Sequence, residues 1–284
     1  MYLSIYLKIG YHIQMPELPE VETTKNGISP WVTGNTIENL IIKEPKLRWM
    51  IESDVKQKSL GRVVQSVKRR AKYILLEMDH GSAIIHLGMS GSLRIIKSDE
   101  PPMKHDHFDI VFKNGISLRY RDPRKFGAFF WSHNPPLHPL FQKLGPEPLS
   151  DEFSENYLWK KSRNRKVTIK QFIMNSQVVV GVGNIYASES LFLAGIRPSI
   201  KTGRLSRKRM NKLVEAIKKI LTQAIKSGGT TLQDFYMSDG NPGYFKQKLK
   251  VYGRDKEPCV KCGEPISIKI LGQRSTFYCR ICQI

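Results

Sequence analysis

The chain has no cysteine before residue 259 and only four in its 284 residues. A disulfide framework would be spread through the fold, so this distribution argues for metal binding and a reducing compartment. No run approaches 18 consecutive apolar residues, so nothing in the sequence is predicted to span a membrane. Acidic residues are scarce. The 25 Asp and Glu stand against 46 Lys and Arg, for a formal charge of +21. A folded chain with that excess is expected to meet a polyanion, and aromatic residues interleaved with the cations favour nucleic acid over acidic lipid. There is no phosphate-loop signature, no G-x-S-x-G motif, no internal repeat and no low-complexity tract.

The first fourteen residues, MYLSIYLKIGYHIQ, fit no targeting pattern. Lys8 interrupts the apolar run and no small-residue cleavage site follows, which argues against a signal peptide; a transit peptide would be rich in Arg and Ser. Met15-Pro16-Glu17 reads as a beginning. The expectation is that residues 1–14 are an extension outside the native protein.

Hydrophobic residues make up 40% of the chain, enough for one large core or two ordinary ones. The charge is uneven, +6 over residues 1–150 and +15 over 151–284. Pro16 to about Val32 reads as a short helix, with Pro19 in its first turn and Gly27 and Pro30 at its end. Residues 59–132 are strand-like, and Asn114-Gly115 marks a hairpin. Several short strands with turn signals predict a sandwich or barrel. The Pro-rich segment 133–150 reads as a linker. Helical periodicity follows. Thr168 and Gln171 form a candidate capping box, GVGN (181–184) is a glycine turn feeding a helix, and Met210, Leu213, Val214, Ile217, Leu221 and Ile225 form the apolar face of a long helix.

Cys259-x2-Cys262 and Cys279-x2-Cys282 are separated by sixteen residues, the spacing of a four-thiolate zinc site. Four thiolates leave no open coordination position, so one structural zinc ion is expected. Lys269 and Arg274 would lie on the hairpin between the knuckles, suited to phosphates. GVGN offers a second anion site, with Asn184 as a candidate N-cap. DPRKFG (122–127) puts Arg124 and Phe126 on one turn, and HLGMSG (86–91) puts Met89 on another; both present tips that could insert between bases. His105-Asp106-His107 supplies too few ligands for a metal.

MPELPEVETT, RRAKY, HLGMSGSLR, DPRKFG, GPEPL, VVGVGNIYASE, SDGNPGYF and the paired C-x2-C occur in that order from Met15 to Cys282. In this series the chain closely resembles the bacterial formamidopyrimidine-DNA glycosylases. The resemblance implies a two-domain α+β fold: an N-terminal catalytic β-sandwich domain (15–132), a linker (133–150), a helix–two-turns–helix DNA-binding domain (151–244) and a four-cysteine zinc finger (245–284). It implies a bifunctional enzyme of base-excision repair, glycosylase and abasic-site lyase, acting as a monomer on damaged double-stranded DNA in the bacterial cytoplasm, associated with the nucleoid.

By motif position, Pro16 would be the nucleophile, forming an iminium intermediate, Glu17 the acid, Glu20 a second carboxylate and Lys72 a contact to the lesion phosphates. His86, Asn184, Tyr252 and Arg274 would be further phosphate contacts. Met89, Arg124 and Phe126 would fill the void left by the flipped nucleotide, and residues 230–244 would form a lid over the lesion. The chemistry requires a free secondary amine at Pro16. Two other readings share the sequence: an endonuclease VIII-like glycosylase for oxidised pyrimidines, and a noncatalytic zinc-containing binder of damaged DNA should the Pro16 nitrogen be blocked.

Overall fold

A computed structural model describes residues 16–228 and 249–284. The expected lid at 230–244 and the stretch ending at Met15 lie outside the described residues.

Helix α1 spans Leu18–Val32. Pro19 sits in its first turn, where a missing N–H leaves no bond unmade. Glu20 reaches back to the Glu17 amide at 2.9 Å, one half of a capping box. Pro30 does not stop the helix. It lies inside the last turn, so one backbone bond is lost while the chain continues to Val32.

Eight strands follow: β1 (Ile37–Ile42), β2 (Ser66–Arg70), β3 (Tyr73–Met78), β4 (Gly81–His86), β5 (Ser92–Lys97), β6 (Asp106–Phe112), β7 (Ile116–Arg121) and β8 (Ala128–Ser132). A short helix α2 (Val55–Ser59) lies between β1 and β2. The strands form two four-stranded antiparallel sheets, ordered β1-β6-β7-β5 and β2-β3-β4-β8. Alternation along each strand sends Leu40, Ile110 and Leu118 from one sheet, and Leu76, Ile85 and Phe129 from the other, into one buried cluster. Phe108 stacks on Phe129 across it at 4.5 Å between centroids. The sandwich is therefore closed, and Asn114-Gly115 makes its β6–β7 turn with Gly115 at φ +81°.

The Pro-rich segment is not featureless. It forms a 3-10 turn (Pro135–Leu137) and α3 (Pro139–Gln142), and Phe141 packs with Leu75, Ile84 and Phe130 on the outside of the second sheet. Prolines tolerated in first turns hide this helical character from any periodicity.

The second unit contains α4 (Glu155–Ser162), α5 (Ile169–Ile173), α6 (Asn184–Leu193) and α7 (Arg207–Lys226). Thr168 and Gln171 form the capping box that opens α5. Eight of the ten residues of α6 are buried, which makes it the central helix. Met210, Leu213, Val214, Ile217 and Leu221 of α7 close over it, with Ile225 half-buried. Strands β9 (Ser267–Leu271) and β10 (Arg274–Tyr278) form an antiparallel hairpin. Ile266, Phe277, Val251 and Tyr252 enter the helical core, so the hairpin is continuous with the helices in packing. No helix of the described residues is long and apolar enough to cross a membrane.

Candidate active site and nucleic-acid interface

The site forms where α1 begins and α6 begins. Pro16 is buried, and the chain after it is held by two hydrogen bonds from its backbone: the Glu17 N–H donates to the Glu20 side chain at Oε2, and the Leu18 N–H donates to the Gly181 carbonyl at 3.1 Å. The Glu17 carboxylate then crosses to the second unit. It accepts from the backbone N–H groups of Gly183 at 2.8 Å, Ile185 at 2.8 Å and Tyr186 at 3.3 Å. These are the unsatisfied donors of the first turn of α6. Its N-cap position is Gly183 rather than Asn184. The expected anion site at GVGN thus holds a carboxyl group of the chain itself.

The seating of Glu17 and Leu18 against the GVG turn explains both glycines. A Cβ on Gly183 would lie 2.2 Å from Glu17 Cδ, and Gly181, at φ +78°, would place one 2.5 Å from Leu18 Cβ. Neither position tolerates a side chain while Glu17 and Leu18 are seated.

Burial raises the Glu17 pKa to about 7, and Glu20 adds to the rise; Lys72 and the amides of Ile185 and Tyr186 oppose it. A carboxyl group so placed can hold and release a proton near neutrality. Glu20, also buried, accepts from the Tyr186 hydroxyl at 2.6 Å, so both acids of the N-terminal motif are oriented by α6. Burial lowers the Lys72 pKa, with Arg274 acting in the same direction and Glu17 and Glu20 against it. Lys72 follows Ala71, which holds a left-handed φ of +55°. The Ala71 N–H donates to Glu147 Oε1 at 2.7 Å, and Glu147 also takes Arg69 and Arg70. This bracing fixes the turn that aims Lys72.

His86 closes the sandwich side. Its ring lies 4.8 Å from that of Tyr73, and burial, Lys72 and Arg48 push its pKa down to about 4 against the pull of Asp122. The imidazole is neutral. Nδ1 accepts the Gly88 N–H at 3.0 Å, which leaves the proton on Nε2 as a donor. On the helical side, Asn184 Nδ2 donates to the Tyr252 hydroxyl at 3.4 Å. Glu189 anchors Tyr252 by accepting the backbone N–H groups of Lys250, Val251 and Tyr252 at 2.9 Å. Arg274 is exposed at the start of β10.

The loops bearing Met89, Arg124 and Phe126 are one construction. Asp122, fully buried, accepts from the Ser90 hydroxyl, the Tyr120 hydroxyl and the Arg124 and Gly127 amides, at 2.5 to 3.1 Å. Gly88 lies so close to the Phe126–Gly127 peptide that a Cβ would meet it at 2.4 Å. Phe126 is 41% exposed, with the Arg124 guanidinium 4.8 Å above its ring. Two polar, glycine-tight turns thus present an aromatic ring to solvent.

Two site residues are not singled out by the sequence. Tyr186 reads only as part of a helix. Lys170 is fully buried on α5, donates to the Ser275 carbonyl at 2.9 Å and to Thr276 Oγ1 at 2.8 Å, and has its pKa pulled to about 7 by burial, with Arg274 adding and Glu17 opposing. Its only sequence signal is a lysine amid Ile169, Phe172 and Ile173. His107, by contrast, is structural, with Nε2 2.7 Å from the Asp122 carbonyl.

The four cysteine sulfurs all lie within 4.8 Å of one another, with Cys259–Cys282 at 3.9 Å and Cys262–Cys279 at 3.5 Å. Ligands at 2.3 Å around a tetrahedral ion stand roughly 3.8 Å apart, so the set fits one metal ion.

A β-sandwich and a helical unit sharing a buried acid–lysine site, with a four-cysteine hairpin beside it, make the architecture of the helix–two-turns–helix DNA glycosylases. Comparison with known proteins carries this further. Residues 15–129 match the family model of the formamidopyrimidine-DNA glycosylase N-terminal domain, and residues 144–236 match that of the formamidopyrimidine-DNA glycosylase H2TH domain. The formamidopyrimidine-DNA glycosylases of Pasteurella multocida and Aliivibrio fischeri are 52% and 54% identical over 95% of the chain and 99% and 98% of their own lengths. A Lactococcus lactis Fpg structure in complex with abasic-site-containing DNA superposes with a TM-score of 0.87 at 34% identity, over 94% of this chain and 99% of that one. The Thermus thermophilus MutM (Fpg) protein gives 0.84 at 33%, over 94% and 98%. The chain belongs to the formamidopyrimidine-DNA glycosylase family.

Proposed function

We propose that the protein excises oxidised purines, 8-oxoguanine and formamidopyrimidines, from duplex DNA and then breaks the strand at the abasic site. The observation that carries the reading is Glu17. It is a buried acid with a pKa near 7, one residue from the Pro16 nitrogen, beside Lys72. Lactococcus lactis relatives at 34% identity are seen with abasic-site DNA and with Fapy-dG DNA, which supports the substrate class.

The Pro16 nitrogen attacks the anomeric carbon of the damaged nucleotide while Glu17 gives its proton to the sugar ring oxygen and the C1′–O4′ bond breaks, opening the ring. The attacking nitrogen then loses its N–H proton, and its lone pair forms a C=N bond as the glycosidic bond breaks and the base leaves carrying a proton. The resulting iminium acidifies the adjacent sugar carbon. Loss of that proton expels the 3′ phosphate; a second elimination expels the 5′ phosphate. Lys72, His86 Nε2–H, Asn184, Tyr252 and Arg274 hold the phosphates flanking the flipped nucleotide. Met89, Arg124 and Phe126 occupy its vacated place, with Arg124 toward the orphaned cytosine. A zinc ion held by Cys259, Cys262, Cys279 and Cys282 would order the hairpin that carries Arg274 and take no part in the chemistry. The working place is the bacterial cytoplasm, on the nucleoid.

The amine must be free. A chain that keeps residues 1–15 carries the Pro16 nitrogen as an amide with no basic lone pair. Borohydride trapping on a duplex with 8-oxoguanine opposite cytosine, with chains starting at Met1 and at Met15 and both N-termini weighed by mass spectrometry, tests this. Trapping of the processed form alone is expected. Trapping of a chain with its extension still attached would assign the attack to another amine.

A further inference from the structure

Resting on the DNA-glycosylase reading, we propose a second DNA-binding surface: a cationic ribbon built from residues 160–166 and 201–204, which grips duplex beyond the lesion. The two segments run antiparallel and are joined by backbone bonds. The Thr202 N–H donates to the Val167 carbonyl at 2.9 Å, the Gly203 N–H to the Arg165 carbonyl at 3.0 Å, and the Ile169 N–H to the Ile200 carbonyl at 2.8 Å. Arg163 closes the ribbon from beneath, donating to the Gly203 and Leu205 carbonyls and lying 4.8 Å from the Trp159 ring. That arrangement leaves Arg165, Lys166, Lys201 and Arg204 exposed on the ribbon, with Lys160 and Lys161 exposed on the last turn of α4 that leads into it.

Among the described residues, none of the six is within salt-bridge distance of a carboxylate; Glu155, at the start of α4, pairs with Arg207 instead. Six cations without a carboxylate partner on the ribbon and the helix end before it repel one another, and a polyanion relieves that repulsion. The position selects duplex DNA. The ribbon ends at the Thr168–Lys201 bridge, which leads directly into α5. Lys170 and Gln171, at the start of that helix, are packed on the finger hairpin: Lys170 bonds Ser275 and Thr276, and the Gln171 side chain lies against Gly272. The ribbon is therefore coupled through α5 to the hairpin that carries Arg274, the proposed contact beside the lesion, and offers further cations to the same duplex.

The test compares the Met15-start protein with the fourfold Arg165→Ala/Lys166→Ala/Lys201→Ala/Arg204→Ala variant, and with Lys160→Ala/Lys161→Ala as a second, independent set. Lesion duplexes of about 12 and about 40 base pairs are titrated at several salt concentrations. Each lost phosphate contact flattens the salt dependence of log affinity by about 0.9. The fourfold variant should lose about 2 to 4 in slope on the long duplex and at least tenfold in affinity at low salt. On the short duplex its affinity and its borohydride trapping should match the parent. Equal losses on both lengths, or no loss on either, would overturn the ribbon. Tighter, ribbon-dependent binding of phosphatidylglycerol vesicles than of lesion-free duplex at the same salt would overturn it in favour of a membrane. Failure of the parent itself to trap on the short duplex would count against the glycosylase reading, whereas the ribbon would still be judged on lesion-free long duplex.

Discussion

Glu17 Oε1 accepts the backbone N–H of Ile185 at 2.8 Å, across 168 residues of sequence. The proposed catalytic acid belongs to the first unit and its orientation to the second. An anion at a helix N-terminus is favourable, yet this one is driven back toward its protonated form by burial. The two influences leave a group that is neither permanently charged nor permanently neutral. The docking of α1 against the start of α6 is therefore what tunes the acid, and separating the units would return Glu17 to an ordinary surface carboxylate.

A paired glycine experiment reads that docking directly. Gly183→Ala would force a methyl group to within 2.2 Å of Glu17 Cδ, so Glu17 must leave its seat. Base excision should fall by about a hundredfold or more, since a displacement of about 1 Å at a reacting group has that effect. Gly27→Ala on the same α1 meets nothing within 4 Å and has an ordinary helical position. It should raise stability by about 0.5–1 kcal/mol. Thermal melting and single-turnover excision on both variants separate the two effects. Equal activity in the two would remove Glu17 from the mechanism.

The pH profile follows from opposite protonation needs. Excision requires Glu17 protonated, with a pKa of about 7, and Pro16 neutral, with an α-amine pKa of about 8. The active form rises with pH as the amine loses its proton and falls as the acid loses its own. The result is a bell centred at about pH 7.5, with roughly one molecule in twenty competent at the maximum. Lys72 holds the Glu17 pKa down, so Lys72→Gln lets it rise, and loss of a nearby cation raises the amine pKa as well. Both shifts move the optimum upward. An optimum that stays in place or drops in Lys72→Gln would contradict the proximity of the three groups.

Asp122 offers a test of the void-filling loops without touching their tips. Its carboxylate accepts four donors, two from each of the side-chain and backbone kinds. Asp122→Asn replaces one acceptor oxygen by an NH2 that faces donors. Each charge-assisted bond lost costs about 1.5–3 kcal/mol, so excision from duplex should weaken about ten- to a hundredfold. If Asp122 acts by holding the tips, the change should have little further effect once Met89, Arg124 and Phe126 are all alanine. Full additivity in that double-mutant cycle would make Asp122 only a folding residue.

Much of this was legible because it is local. The Thr168–Gln171 box, the Asn114-Gly115 turn, the α7 stripe and the paired C-x2-C each lie within a few residues or a recognisable spacing. The motif residues Pro16, Glu17, Glu20 and Lys72 were found by resemblance, and composition alone would not have joined them. What escaped is long-range. The start of α6 was misplaced by one residue because its capping carboxylate comes from Glu17, 166 residues away from Gly183. Tyr186 becomes a site residue through Glu17 and Glu20, and Lys170 through Ser275 and Thr276, all more than a hundred residues distant. Asp122 opens the DPRKFG turn in the sequence, and in the fold it is that turn's buried anchor.

The cysteine cluster should separate architecture from chemistry. Cys279 is fully buried and its sulfur is 3.5 Å from that of Cys262. Cys279→Ser removes one of four thiolates, so bound zinc measured by mass spectrometry or a chelating dye should fall to well below one ion per chain. The β9–β10 hairpin shares its core with the helices through Phe277 and Ile266. Losing the ion should therefore loosen Arg274 without unfolding the sandwich, where Pro16, Glu17 and Lys72 are held by other contacts. Duplex affinity is expected to drop at least tenfold, while trapping at saturating DNA persists at a rate near that of the parent. If trapping disappears at saturation with the metal, the hairpin does more than bind. If metal content is unchanged, the four sulfurs are not its ligands.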